Sequence, residues 1–368
     1  MKAHALTREE IVSLLRAEGE EAAALFRAAD AVRAEYLGNA VHLRAVIEFS
    51  NYCVKNCLYC GLRRGNRRLA RYRMTPEEIL AAAGRARAEG YRTVVLQAGE
   101  DPAYKTAELA RLVYRIKTEL DVAVTLSLGD LRRDAYRELR AAGADRYLLK
   151  HETADPALFA RLRPGTTLAG RLERLSWLRE LGYQVGSGNI VGLPGQAPET
   201  LADDILLLKE CDVEMAGIGP FIPHPATPLG TCPPGSLDLT LKVLAVTRLL
   251  LPLAHLPATT AVATLHPAGR RRALLSGANV VMPDLTPAPY RRHYEIYPGK
   301  GAPAGEGPNS FAWWEKELAG LDRTVARGYG HSPKAPAGRH GPGKPPSPSR
   351  ALTPGDAPVL EQPPSNSG

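Results

Sequence analysis

Apolar and polar positions along this chain switch repeatedly between two periods, and the switches mark out its elements. Near the start, Ile11, Leu14, Leu15, Ala22, Leu25 and Phe26 recur at the spacing of one helical face. Thr7-Arg8-Glu9-Glu10 has capping-box spacing, so a helix is expected to begin there and to pack across one end of the body that follows. Eight short apolar or β-branched runs then predict strands at 42–50, 93–98, 123–128, 146–151, 184–191, 215–222, 258–265 and 279–282. Helical patterns lie between them at 76–89, 106–120, 134–142, 168–181, 200–211, 240–251 and 270–275. Gly90, Gly143 and Gly182 each fall between a helical pattern and the next strand, where a left-handed residue closes a helix. Such alternation implies a parallel sheet. Eight units imply an α/β fold of the closed (β/α)8 TIM-barrel class, whose chemistry gathers at the C-terminal ends of the strands.

The pattern fades after residue 330. From His331 to Gly368, 20 of 38 residues are Pro, Gly or Ser, with almost no aliphatic run except Val359-Leu360. Such a segment buries too little apolar surface to offset its ordering entropy, so it is expected to be disordered. The chain thus divides into an N-terminal helical extension at 1–40, a barrel at 41–330 and a Pro/Gly/Ser-rich tail at 331–368.

Composition narrows the class. The net charge of +8 and pI near 9.2 invite a nucleic-acid reading. The arginines are widely spread with few aromatics among them, however, so no nucleic-acid partner is expected. Their tightest group, six between Arg63 and Arg73, reads as a solvated loop or as a surface attracting anionic ligands or a reductant. No unbroken apolar run is long enough to cross a bilayer, and the first ten residues hold no hydrophobic signal region. The five cysteines include two, Cys211 and Cys232, remote from the rest. That pattern excludes a disulfide framework and leads us to expect a reducing, cytoplasmic setting.

The other three cysteines carry the chemistry. Asn51-Tyr52-Cys53-Val54-Lys55-Asn56-Cys57-Leu58-Tyr59-Cys60-Gly61 spaces them as C-x3-C-x2-C directly after the first strand. Three thiolates can hold three irons of a cubane cluster and leave the fourth iron open to a small molecule, as metal chemistry requires. The alternative is a structural zinc knuckle, but zinc sites usually come as two separated pairs and the second pair is missing. The spacing, with an aromatic residue before the third cysteine, resembles the radical S-adenosylmethionine (SAM) superfamily. That resemblance implies that Cys53, Cys57 and Cys60 hold one 4Fe–4S cluster, with Tyr59 at the cofactor. Ala98-Gly99-Glu100-Asp101, ending strand two, resembles the superfamily's GGE-like motif with alanine for the first glycine. Its backbone at Gly99 and Glu100 would hold the amine of SAM. Ser127-Leu128-Gly129 and Lys150-His151-Glu152-Thr153 end the next two strands, and an acid there needs a partner such as ribose hydroxyls, an ammonium or a neighbouring arginine. Gly186–Gly195 resembles the superfamily's adenine-facing segment.

Within the superfamily several segments are similar to the HydE family of FeFe-hydrogenase maturases. They include Ile47-Glu48-Phe49-Ser50-Asn51, Arg71-Tyr72-Arg73-Met74-Thr75-Pro76, Gly217-Ile218-Gly219-Pro220-Phe221-Ile222-Pro223-His224-Pro225, Pro257-Ala258-Thr259-Thr260-Ala261 and Tyr297-Pro298-Gly299-Lys300. The resemblance implies reductive cleavage of SAM to a 5′-deoxyadenosyl radical that acts on a small organometallic iron substrate. It implies a flavodoxin- or ferredoxin-type electron donor and other hydrogenase maturases as partners. By the same resemblance Ser127, Glu152 and Arg171 contact the cofactor, while Lys150, Met215, Thr259, Thr260, Tyr294 and Tyr297 form the substrate cavity. Position 150 is arginine in relatives and lysine here, which keeps the charge and loses the two-pronged geometry. No cysteine follows Cys232, so the second, peripheral cluster of some relatives is expected to be absent. Alternatives are another biotin synthase-like enzyme, of the methylornithine synthase or biotin synthase type, and a non-catalytic iron-delivery scaffold.

Overall fold

The computed structural model describes residues 6–300 and 310–334. The chain opens with α1 (Arg8–Arg16) and α2 (Gly19–Leu37), then enters β1 (Ala40–Leu43), β2 (Ala45–Ser50), α3 (Pro76–Ala88), β3 (Thr93–Ala98), α4 (Thr106–Leu120) and β4 (Ala123–Ser127). It continues through α5 (Arg133–Ala141), β5 (Arg146–Leu148), α6 (Pro156–Leu162), α7 (Leu168–Glu180), β6 (Gln184–Ser187), β7 (Ile190–Val191) and α8 (Pro198–Glu210). The second half holds β8 (Met215–Ala216), β9 (Gly219–Pro220), α9 (Leu237–Leu250), β10 (Pro257–Ala258), α10 (Thr260–Leu265), α11 (Gly269–Leu274) and β11 (Val280–Val281). Last come α12 (Ala288–Arg291), α13 (Phe311–Ala319) and β12 (Thr324–Val325).

Parallel pairing runs β2-β3-β4-β5-β6-β8 in one sheet and β10-β11-β1 in another. Bridges Met215–His255 and Val46–Asp284 join the two, and β1 runs into β2 across Arg44, so the eight staves close into the expected barrel. Every residue of β2 is buried, including Glu48, as a strand covered on both faces requires. The expected caps are present: Thr7 accepts from Glu10 N while Glu10 returns to Thr7 N at 2.7 Å, and Thr75 with Glu78 repeats the arrangement on α3.

Three expectations need correction. Of the run 258–265 only Ala258 is strand and residues 260–265 are helix, with Ala261 and Val262 turned inward; so short an apolar run carries no period that separates the two states. The N-terminal helix breaks at Ala17-Glu18, and its two halves pack against the wall helices α8 and α9 instead of lying across an end. Finally, the boundary set at His331 falls too early, since residues 331–334 are packed against the foot of the barrel.

That foot is unusual. Arg44 and Arg146 are buried there with neutral acceptors as partners. Arg146 donates to Tyr329 O at 2.6 Å and meets His331 Nδ1 at 3.0 Å, and Arg44 donates to Gly330 O at 3.2 Å. Gln184 accepts from Ser332 N at 2.8 Å. The segment 329–332 supplies main-chain oxygens where carboxylates would ordinarily stand. The rest of the expected tail, 335–368, lies outside the described residues.

Candidate active site

At the opposite, C-terminal end of the strands lies a cavity of about 340 Å³. The loop leaving β2 forms its upper wall and is pinned from three sides: Val54 N donates to Glu100 O at 3.0 Å, Leu58 N to Leu162 O at 2.9 Å and Gly61 N to Ile296 O at 2.9 Å. Asn51 ties the root of the loop, donating to Ala70 O and His293 O at 2.8 Å each. Cys53, Cys57 and Cys60 all open on the cavity. Cys57 is buried and the other two half-buried, and burial pushes all three thiols above the ordinary thiol range. Among the described residues no three His, Cys, Asp or Glu side chains converge on a single-ion site.

One half of the cavity is rich in charge. Glu100 packs over Gly129, whose missing Cβ would stand 2.2 Å from Glu100 Cγ. Lys55 pairs with Glu100 at 3.3 Å, Arg171 with Asp130 at 3.3 Å and Lys150 with Glu152 at 3.3 Å. Arg163 donates to the Tyr59 hydroxyl at 3.0 Å. Glu152 holds a left-handed backbone (φ 66°), fixed by its amide donating to Gly188 O and its carbonyl accepting from Ile190 N, both at 2.9 Å. For a residue with a side chain that conformation is strained, and strain of this kind gathers at working sites. Arg163 Nε and Arg171 Nε are buried without a hydrogen-bond partner, while Glu152 Oε2 and Asp130 Oδ1, also without one, have only the ionic neighbours Lys150 at 3.3 Å and Arg174 at 3.6 Å. Buried polar atoms left unmatched are costly, so they point to something that fills the space.

The other half is built on Glu48, Asp284 and Lys300. The Lys300 ammonium lies 2.6 Å from Glu48 and 3.3 Å from Asp284, and burial pushes the Glu48 carboxyl up to about 8 against the pull of that ammonium. Tyr294 accepts from Gln97 at 3.2 Å, and Thr259 donates to Ile218 O at 3.3 Å.

Of the residues singled out from the sequence, Cys53, Cys57, Tyr59, Cys60, Gly99, Glu100, Ser127, Lys150, Glu152, Arg171, Thr259, Thr260, Tyr294 and Tyr297 line this one cavity. Met215 does not. Its sulfur lies 2.9 Å from Arg44 Nη1, toward the foot of the barrel, and its methyl fills the space above Gly186. The sequence reading missed Glu48, Arg163, Asp284 and Lys300 as cavity residues. Glu48 could have been found, as a lone acid inside an otherwise apolar strand; Arg163 and Asp284 follow from no local signal.

Comparison with known proteins agrees with this geometry. A model of the Radical SAM superfamily matches residues 47–208. The chain is 56% identical over 277 residues to the FeFe-hydrogenase maturase subunit HydE of Thermotoga maritima, covering 75% of this chain and 79% of that protein. It is 31% identical over 279 residues to 3-methylornithine synthase of Methanosarcina acetivorans, with 75% and 79% covered. The crystal structure of methylornithine synthase (PylB) superposes with a TM-score of 0.78 at 28% identity, over 88% of this chain and 95% of that one. HydG, a maturase of the FeFe-hydrogenase, shares the fold at TM-score 0.74 and 20% identity, over 88% and 73%.

Proposed function

This chain belongs to the radical SAM superfamily and, within it, to the HydE family of FeFe-hydrogenase maturases, and from that premise we propose its substrate and the division of its cavity. The substrate is a small organometallic iron complex carrying cysteine, carbon monoxide and cyanide. The reaction is a step in building the two-iron subcluster of the hydrogenase.

The residues present fit the cofactors that the family implies. Three thiols, one buried and two half-buried, face one space, and a thiolate there needs the compensating charge of a metal centre. The unmatched Arg163 and Arg171 nitrogens, with the Glu152 carboxylate beside them, suit a ligand that carries hydroxyls, an ammonium and a carboxylate. Cys53, Cys57 and Cys60 would hold the 4Fe–4S cluster, and SAM would occupy the charged half. Bound together, these groups supply a 5′-deoxyadenosyl radical by one-electron cleavage of the sulfonium.

The protein's own part is positioning. Gly99 and Glu100 present backbone groups to the amine, Glu152 accepts from ribose hydroxyls or the ammonium, and Ser127 and Arg171 complete that end. Tyr59, held by Arg163, keeps the cysteine loop against the cofactor. Lys150, Thr259, Thr260, Tyr294 and Tyr297 form the substrate end, with Lys300 closing its wall. Met215 is withdrawn from that set. A flavodoxin- or ferredoxin-type protein supplies the electron, and other hydrogenase maturases exchange substrate and product with this one.

The observation that carries this reading is the opening of the cysteine loop and of the unmatched Arg163 and Arg171 nitrogens onto the same cavity. The test separates its halves. Glu152→Gln should lower SAM cleavage even without substrate. Thr259→Val and Thr260→Val should leave uncoupled cleavage intact while hydrogenase maturation falls about ten- to a hundredfold, the cost of one unmatched polar group. Equal loss of uncoupled cleavage in both classes of variant overturns the division.

A further inference from the structure

The segment after Cys60 folds straight back onto the outer side of the cysteine loop. Arg63 N donates to Cys60 O at 3.1 Å, Arg64 N to Lys55 O at 2.9 Å and Gly65 N to Asn56 Oδ1 at 3.1 Å. Two side chains lock this turn. Asn66 donates to Gly61 O at 2.8 Å, and the Arg71 guanidinium donates to the carbonyls of Asn51, Leu62, Arg63 and Asn66. Arg71 is therefore consumed by the main chain. Arg64, Arg67 and Arg68 are not: all three are exposed, and none has an ion-pair partner among the described residues. Val54, bonded to Cys53 and to the Lys55 whose carbonyl accepts from Arg64 N, is 48% exposed, the most exposed of the large hydrophobic side chains described.

Three like charges on one rigid turn repel each other and gain nothing from the fold. An exposed apolar residue with a charged rim is the anatomy of a protein interface. We propose that Val54 with Arg64, Arg67 and Arg68 forms the docking surface for an acidic one-electron carrier protein that reduces the cluster. The inference rests on the radical SAM reading, because without a cluster behind Cys53 there is nothing to reduce. One electron leaves the carrier, which is oxidised by one, and enters the cluster; no atom or proton moves. Position selects this partner, since Val54 adjoins Cys53 in the chain and the turn bearing Arg64 is hydrogen-bonded to the cysteine loop at Lys55. Chemistry argues against nucleic acid: the Tyr52 ring of this loop already carries the Arg73 guanidinium at 3.6 Å, with Arg71 at 5.9 Å, where a base would stack.

The test is calorimetric binding of an oxidised flavodoxin to the reconstituted full-length protein and to two variants. One carries Arg64→Glu, Arg67→Glu and Arg68→Glu; the other carries glutamine at the same positions. Charge reversal should weaken binding on the order of tenfold or more at low salt, with the glutamine variant intermediate. The differences should shrink at about 1 M salt, where screening acts within ~3 Å. Dithionite-driven SAM cleavage and iron content should match the unmodified protein, while flavodoxin-driven cleavage falls in step with binding. If reversal costs iron, the glutamine variant carries the comparison. Unchanged flavodoxin binding in both variants overturns the proposal, and so does loss of binding to a short DNA duplex alone. Failure of dithionite-driven cleavage in the unmodified protein would instead remove the radical SAM reading, independently of the calorimetry.

Discussion

Gly99→Ala tests how the cysteine loop is seated. Gly99 follows β3, and its amide donates to Ser50 O at 3.1 Å while the next carbonyl, Glu100 O, accepts from Val54 N at 3.0 Å. The loop therefore lies flat on the end of the second stave. A Cβ at position 99 would stand 2.1 Å from Tyr52 O and 2.9 Å from Cys53 Cβ, where ordinary contact begins at 3.4 Å. The Tyr52 carbonyl must retreat by about 1.3 Å, the difference of those two distances, and Cys53 moves with it. Overpacking of this kind costs about 1–3 kcal/mol. The functional effect is larger than the stability effect, because a metal site tolerates only ~0.2 Å in its ligand distances. Iron and acid-labile sulfide after anaerobic reconstitution should fall well below those of the unmodified protein, and thermal unfolding should shift downward. Gly84→Ala is the control. In the middle of α3 its new Cβ meets only Leu120 Cδ2 at 3.9 Å, so it should stabilise by up to about 1 kcal/mol and leave the cluster intact. A Gly99→Ala protein with full cluster content and unchanged stability would refute the packing argument.

Three further outcomes follow from the foot of the barrel and from the far wall of the cavity. Truncation after Lys334 should leave stability unchanged, whereas truncation after Gly328 removes the carbonyls facing Arg44 and Arg146 and should cost at least ~2 kcal/mol in chemical denaturation. Burial and the neighbouring Arg44 and Arg146 depress His42 to about 3, and the same causes hold His255 well below its ordinary value. Both stay neutral when folded and charge on unfolding, so their contribution is present above about pH 6.5 and is lost as pH falls, at ~1.4 kcal/mol per pH unit for each. Denaturation profiles at several pH values should show that slope, and His42→Gln should remove its share; an unchanged slope counts against it. Lys300→Met removes the ammonium beside Asp284 and a buried carboxyl already raised to about 8, so Glu48 stays protonated and the change should cost about 1–3 kcal/mol in lost hydrogen bonding, partly recovered by adding Glu48→Gln.

Much of this was legible because the informative residues are local. The three cysteines announce themselves by spacing, the glycines after α3, α5 and α7 by position, and the strand-end acids by being charges at the edge of apolar runs. What stayed hidden depends on which way a side chain points. Met215 stands in β8 and Lys150 just beyond the end of β5, yet one faces the foot and the other the mouth, and Met215 lies over its register partner Gly186. The helix at Thr260–Leu265 was read as strand because six apolar or small residues fit either period. The foot of the barrel was invisible for a different reason. Arg44 and Arg146 are matched by main-chain oxygens of residues 329 and 330, and a carbonyl carries no letter in the sequence.

The most direct test of the central claim is a hydrogenase maturation reaction assembled from purified components without a HydE protein, to which this reconstituted chain is added. The account expects hydrogen evolution by the matured hydrogenase to appear with the unmodified chain and to be absent with Cys57→Ala. Formation of 5′-deoxyadenosine without any active hydrogenase, or equal activation by Cys57→Ala, would contradict it.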